Sequence, residues 1–286
     1  MDKANGRQLK ALVSLLLDDD PKILAMIWDH LLEAGEKALP LLEEAAENAD
    51  PKIRLRSRHA VSRIRAELLE QQFQHLALRD DASFDLEEAL SIVARIEYPT
   101  IRRAKISRKL DAMADAIRPD LLEAQSPRDE ILAINAYLFD KFGLRGNTSD
   151  YYDPDNNFIN KVLEKRTGIP ISLSVVYILL GERLGLPIRG VGLPGHFLAK
   201  YDTPQMEIFL DPFNRGRLLT KRDCAQILTK AGYYFKEEYI SVASARDIVI
   251  RMLRNLVISY SKKQEKARIR RLTHYMELLQ SREKAR

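Results

Sequence analysis

Through the first 70 positions, apolar residues in LKALVSLLL, ILAMIWDHLL and ALPLLEEAAENA recur at three- and four-residue intervals. That spacing places them on one face of successive helices. The tetrapeptide Asp20-Pro21-Lys22-Ile23 returns thirty residues later as Asp50-Pro51-Lys52-Ile53. In each copy the aspartate can cap a helix, and the proline can occupy its first turn, where a missing N–H costs nothing. Residues 1–70 therefore read as a short HEAT-like helical region built on a repeat.

Helical periodicity continues from 71 to about 145. One helix is predicted through LEEALSIVARI, with Ser83 or Asp85 as its cap. Another starts near Ser126, takes Pro127 as its first residue and ends at Gly143. GNTSDYYDPDNN then breaks the pattern as a turn-rich loop. It leads to a short helix, FINKVLEKR, and a strongly apolar one, TGIPISLSVVYILLGERLGL, with Gly185 beyond its end. Three extended segments follow, Ile188–Leu193, Phe197–Tyr201 and Met206–Leu210, separated by Pro-Gly and Asp-Thr-Pro turns. Together they predict a small antiparallel meander. After DPFNRGRLLT the chain turns helical again through RDCAQILTKAG. The final two segments, RDIVIRMLRNLVISYSKKQEK and RIRRLTHYMELLQS, pair like a tetratricopeptide hairpin. The predicted fold class is α+β and mainly helical, with regions at 1–70, 71–245 and 246–286.

Composition narrows the classes without choosing one. With 45% hydrophobic and 30% charged residues, the chain can bury a sizeable core. No apolar run reaches the length of a membrane span, and the N-terminal apolar stretch lacks a small-residue cleavage site. No membrane partner is expected. The single cysteine, Cys224, excludes an internal disulfide framework and a cysteine-rich zinc site, and it fits a reducing, cytoplasmic setting. His30, His59, His75, His196 and His274 show no paired metal-ligand spacing, so no metal is expected. Neither GxGxxG nor GxxxxGK[ST] occurs, and no cofactor is implied. The net charge of +5 is uneven: residues 246–286 carry 12 basic and 4 acidic residues, about +8, leaving the remainder near −3. Such a segment can contact nucleic acid through its local field, or can be a solvated helical face. No aromatic residue interleaves with its run KKQEKARIRR.

Chemistry concentrates between residues 168 and 211. An apolar helix opening after Gly168 offers free backbone N–H groups and a partial positive charge. His196 falls at one strand start and Asp211 at another strand end, where an aspartate can fix a histidine's tautomer. Gly192, Pro194 and Gly195 are placed to form the turn that presents His196.

The stretch DPDNNFINKVLEKRTGIPISLSVVYILLGERLGLPIRGVGLPGHFLAKY, continued by FLDPFNRGRLLT, closely resembles the bacterial SirB family, a transglutaminase-like core of type 2. The resemblance covers roughly residues 85–235, and GIPISLSV, GVGLPGHFL and DPFN fall in order. Asn157 departs from it, where a small hydroxyl residue is expected after Asn156. The wider transglutaminase-like pattern has Gly-x-Cys opening the helix, then Leu-Gly-Ile-Pro about fifteen residues on, then a histidine and Asp-Pro. Leu184-Gly185-Leu186-Pro187 is the second landmark here, and counting back fifteen from Gly185 gives Pro170. By that resemblance His196 and Asp211 match two of three triad members, while the nucleophile position is a proline with no nucleophilic atom. At 100° per residue Ser174 lies within about 40° of position 170 and Ser172 about 200° away. Ser174 is thus the candidate substitute, although the favoured reading of both serines is as small packing or helix-bonding residues.

The resemblance implies a non-catalytic binding or regulatory module, its partner another protein or peptide. An alternative is a hydrolase or acyltransferase using Ser174, His196 and Asp211, or His196 with an activated water. A second alternative is nucleic-acid association through the basic C-terminal hairpin.

Overall fold

The computed structural model describes residues 3–281, and it divides into two compact units, Met1–His75 and Leu76–Arg286. The first unit contains helices α1 (Lys3–Ser14), α2 (Pro21–Ala34) and α3 (Leu39–Ala45), and most of α4 (Pro51–Leu78). Both copies of the repeated tetrapeptide do the same local work. Asp20 accepts the Lys22 amide at 2.8 Å to open α2, and Asp50 accepts the Lys52 amide at 2.7 Å to open α4. Leu9, Leu16, Ile27, Leu31, Leu42 and Ile64 form the core of this unit. Asp19, bonded by Lys52 and Arg56, has its carboxyl held below the usual range by those two cations.

In the second unit α5 (Leu86–Ala94) is capped by Asp85, which accepts the Glu88 amide at 2.9 Å. Then come α6 (Arg103–Leu122) and α7 (Pro127–Asn135), the latter capped by Ser126. The sequence pattern predicts one helix from Ser126 to Gly143, but the chain widens into a π-helical turn over Ala136–Lys141. Its last bonds run from the Phe142 amide to the Tyr137 carbonyl and from the Leu144 amide to the Leu138 carbonyl. Strand β1 (Arg145–Gly146) then pairs in parallel with β2 (Thr167–Gly168), which lies beyond α8 (Ile159–Lys165).

Helix α9 (Pro170–Leu184) is the axis of this unit. Every residue from Pro170 to Gly181 is buried, as expected for a helix apolar on all sides. Gly185 ends it in the left-handed conformation. The three predicted strands appear as β3 (Ile188–Val191), β4 (Leu198–Thr203) and β5 (Met206–Asp211). Two more strands extend the sheet: β6 (Arg217–Leu219), and β7 (Val242–Ala243), which lies beyond α10 (Lys221–Lys230). The antiparallel order is β6-β5-β4-β3-β7. Strands of two and three residues are too short to print a period in the sequence, so pairing with a neighbour defines them. Val191, Leu193, Leu198, Phe209, Leu219 and Leu228 pack one face of the sheet against α10.

The last two helices, α11 (Ala245–Lys262) and α12 (Lys266–Gln280), pack tightly on each other, and α11 also packs against α5 and α9. Part of their positive charge is committed to the fold. Arg246 is only 3% exposed; it donates to the Arg79 and Leu279 carbonyls and meets Asp81 at 3.3 Å. Arg268 makes a two-pronged contact with Glu97 at 2.7 and 3.0 Å, and Arg271 donates to the Ile96 carbonyl. Arg254, Lys262, Lys263, Lys266 and Arg270 remain exposed. Among the described residues no helix is long and apolar enough to cross a membrane.

Candidate functional site

Two loops of the sheet build the site, and each shape follows from its residues. After β3 the chain turns through Pro194 and Gly195, with the His196 amide bonded to the Leu193 carbonyl at 3.1 Å. Gly195 sits at a φ of +77°, which a residue with a side chain adopts only at a cost. At the end of β5, Asp211 caps the short turn Pro212–Asn214, accepting the Asn214 amide at 3.2 Å. Gly216 closes that turn at a φ of +69°, with the Asn135 amide where a Cβ would stand. Asn135 itself donates to the Gly216 carbonyl at 2.9 Å, tying the end of α7 to the loop.

These turns bring His196 and Asp211 together. His196 Nε2 lies 2.9 Å from Asp211 Oδ2, which also accepts from Asn214 Nδ2 at 2.7 Å. The side chains are 16% and 5% exposed, so the aspartate forms the floor and the imidazole faces outward. Burial alone would raise the Asp211 carboxyl. The hydrogen bond and charge of His196, with the two Asn214 donors, outweigh burial and hold it below the usual carboxylate range. Among the described residues His196 Nδ1 has no protein partner. Phe213 stands edge-on to the imidazole at 6.4 Å, and Tyr151 meets Phe213 at 6.2 Å.

A residue missed by sequence reasoning holds the histidine loop. Arg251 of α11 donates from one Nη to the Leu193 carbonyl at 2.6 Å and to the His196 carbonyl at 2.7 Å. Its guanidinium also lies over the Phe197 ring at 5.4 Å. Burial, with Arg254 nearby, lowers its pKa from the ordinary arginine value. In the sequence Arg251 is one of many basic residues in a basic segment, and nothing local marks it out.

Pro170 is the first residue of α9 and is buried. Ser172 turns back on its own helix start, accepting the Ile169 amide at 3.0 Å and donating to the Ile169 carbonyl at 3.1 Å. Ser174 is fully buried and donates to the Phe197 carbonyl at 3.4 Å. Cys224 sits in α10 within the core beside the sheet, and burial pushes its thiol up to about 11. Asn157, where the resemblance leads one to expect a small hydroxyl residue, is 1% exposed, and among the described residues neither of its amide atoms has a hydrogen-bond partner.

His196 and Asp211 open on a cavity of about 340 Å³ between the loops, β6 and α10. Asn214 and Arg217 line one side, and Gln226, Ile227 and Lys230 the other. Among the described residues no serine, threonine or cysteine belongs to its lining. Among the described residues no group of three histidine, cysteine or carboxylate side chains is placed to hold a metal ion.

Comparison with known proteins gives this geometry a context. A family model described as the transglutaminase-like superfamily matches residues 104–254. The chain is 34% identical over 204 residues to a UPF0162 protein of Xylella fastidiosa (strain Temecula1), covering 68% of this chain and 72% of that one. A UPF0162 protein of Vibrio cholerae is 29% identical over 151 residues, 51% of this chain and 52% of its own. F-box only protein 21 of Mus musculus is 31% identical over 145 residues, which are 48% of this chain and 23% of the mouse protein. No solved structure matches the chain.

Proposed function

We propose that this chain, which belongs to the transglutaminase-like superfamily, is a non-catalytic binding or regulatory module of SirB type. The observation that carries this reading is the mismatch within the pocket. The His196–Asp211 pair is hydrogen-bonded and open to a cavity, yet among the described residues no serine, threonine or cysteine lines it. Ser174 supports the same reading, because its hydroxyl is buried and directed to the Phe197 carbonyl. A general base activates a nucleophile only within hydrogen-bond reach, about 2.6–3.2 Å. His196, held by Asp211 beneath and by Arg251 behind, instead presents Nδ1 as a fixed recognition group for a peptide or protein partner. A longer protein, F-box only protein 21, carries a similar segment as 23% of its length, which fits a module used alongside others. The helices of residues 1–70 and 246–286 then serve as flanking surfaces.

Activity-based labelling tests the reading. A fluorophosphonate probe reports an activated serine and iodoacetamide an activated cysteine. Neither is expected to label the native protein above the level of its His196→Ala variant. Stoichiometric, His196-dependent labelling at Ser174 or Cys224 would overturn the proposal. A second reading, hydrolysis by a water activated at His196, draws on the unpartnered Nδ1, and it requires turnover that disappears in His196→Ala.

A further inference from the structure

The charged groups that line the cavity in front of His196 are unevenly engaged by the protein. Two carboxylates line it, and both are spent internally. Asp211 is taken up by His196 and Asn214. Asp223 caps the start of α10, accepting the Thr220 amide at 2.8 Å and the Thr220 hydroxyl at 2.6 Å. Two cations also line the cavity, Arg217 on β6 and Lys230 at the last turn of α10. Neither has an ion-pair or hydrogen-bond partner among the described residues. Leu219, Ile227 and Ala231 are apolar members of the same lining, and the first two belong to the core beside the sheet.

The contrast with the other cations of the same loops is informative. Arg215 is paired with Asp140, and Lys221 with Glu207 at 2.8 Å. These two neighbours are ion-paired, whereas among the described residues the two cations that line the cavity are not, and neither is Arg222 of α10. Arg217 acts on Asp223 through its charge without forming an ion pair, and that carboxylate is hydrogen-bonded by Thr220.

We propose that this cavity binds a carboxylate carried on an apolar body, as at the C-terminus of a peptide. Arg217 and Lys230 take the carboxylate, and Leu219, Ile227 and Ala231 take the adjoining apolar side chain. His196 Nδ1 is left to contact the preceding amide. The inference rests on the reading of this pocket as a binding site and names the ligand chemistry. At about 340 Å³ the cavity is at the small end of ligand pockets, which suits a terminal residue rather than a long segment.

The test uses the full chain labelled with ¹⁵N-histidine, with the His196 ring resonances as the reporter. N-acetyl-leucine, its neutral amide and N-acetyl-glutamic acid α-amide are titrated in turn. N-acetyl-leucine is expected to bind saturably and on the order of tenfold tighter than its amide. The double variant Arg217→Met, Lys230→Met is expected to bring that ratio close to one. Because both side chains belong to exposed residues, the His196–Asp211 signature is expected to persist, showing that the pocket is intact. Equal binding of acid and amide, no binding of either, or a preference that survives the double variant would each overturn the proposal. Tighter binding of the glutamic acid derivative would overturn the chain-terminus assignment. Turnover of an ester lost in His196→Ala would defeat the non-catalytic reading while leaving the acid-over-amide ratio untouched, so the two failures are distinguishable.

Discussion

At the start of α9, Pro170 offers no reactive atom, and Ser172 and Ser174 spend their hydroxyls on the Ile169 backbone and the Phe197 carbonyl. Across the sheet His196 meets Asp211 at 2.9 Å, Asn214 completes the carboxylate's shell, and Arg251 grips the loop from behind. The helix side is arranged as ordinary core, while the strand side opens on a cavity. A buried histidine–carboxylate pair alone can tie strands together. An imidazole with one nitrogen braced and the other open to a cavity goes beyond what tying requires. The difference teaches that the two sides have separate structural roles, so each can be broken on its own.

The largest effect is expected at the floor of the strand side. Asp211→Ala leaves His196 and Asn214 without their shared partner and should cost about 3 kcal/mol of stability, read by urea denaturation. Acid titration sharpens the same point. The folded carboxyl titrates below its ordinary value of 3.8, so its contribution is present above that pH and is lost as pH falls through the lower folded value. Asp211→Asn should therefore flatten the acid limb of the stability curve. Next comes Arg251→Met, which removes two charge-assisted bonds to the His196 loop. It should cost about 2 kcal/mol and broaden the His196 ring resonances, whereas a merely structural arginine would change stability alone. On the helix side Ser174→Ala should cost about 1 kcal/mol or less, with ligand binding at His196 unchanged. The smallest effect is expected at the exposed cations of α12. Lys266→Ala should stay within about 0.5 kcal/mol of the native protein, in contrast to the buried Arg246.

Local rules made much of this legible in the sequence. The caps at Asp20, Asp50, Asp85 and Ser126 and the stop at Gly185 each depend on a few adjacent residues. The three longer strands carry enough residues to be read, and the order His196 then Asp211 along them marked the pair. Partners from distant segments were not legible. Arg251 reaches the site across 55 residues, and Asn135 reaches Gly216 across 81. Strands β6 and β7 exist because of their neighbours, and the π-turn at Ala136–Lys141 breaks a pattern that otherwise reads as continuous helix. The basic C-terminal segment was ambiguous for the same reason. Its charge is visible in the sequence, but the partners Glu97, Asp81 and the Arg79 carbonyl lie far away in the chain.

The most direct test is a comparison of native protein and His196→Ala in hydrolysis of p-nitrophenyl acetate and a γ-glutamyl anilide, with folding verified by circular dichroism. The expected result is the same background rate for both proteins on both substrates. Turnover by the native protein that vanishes in a folded His196→Ala variant would contradict the account and make this pocket an active site.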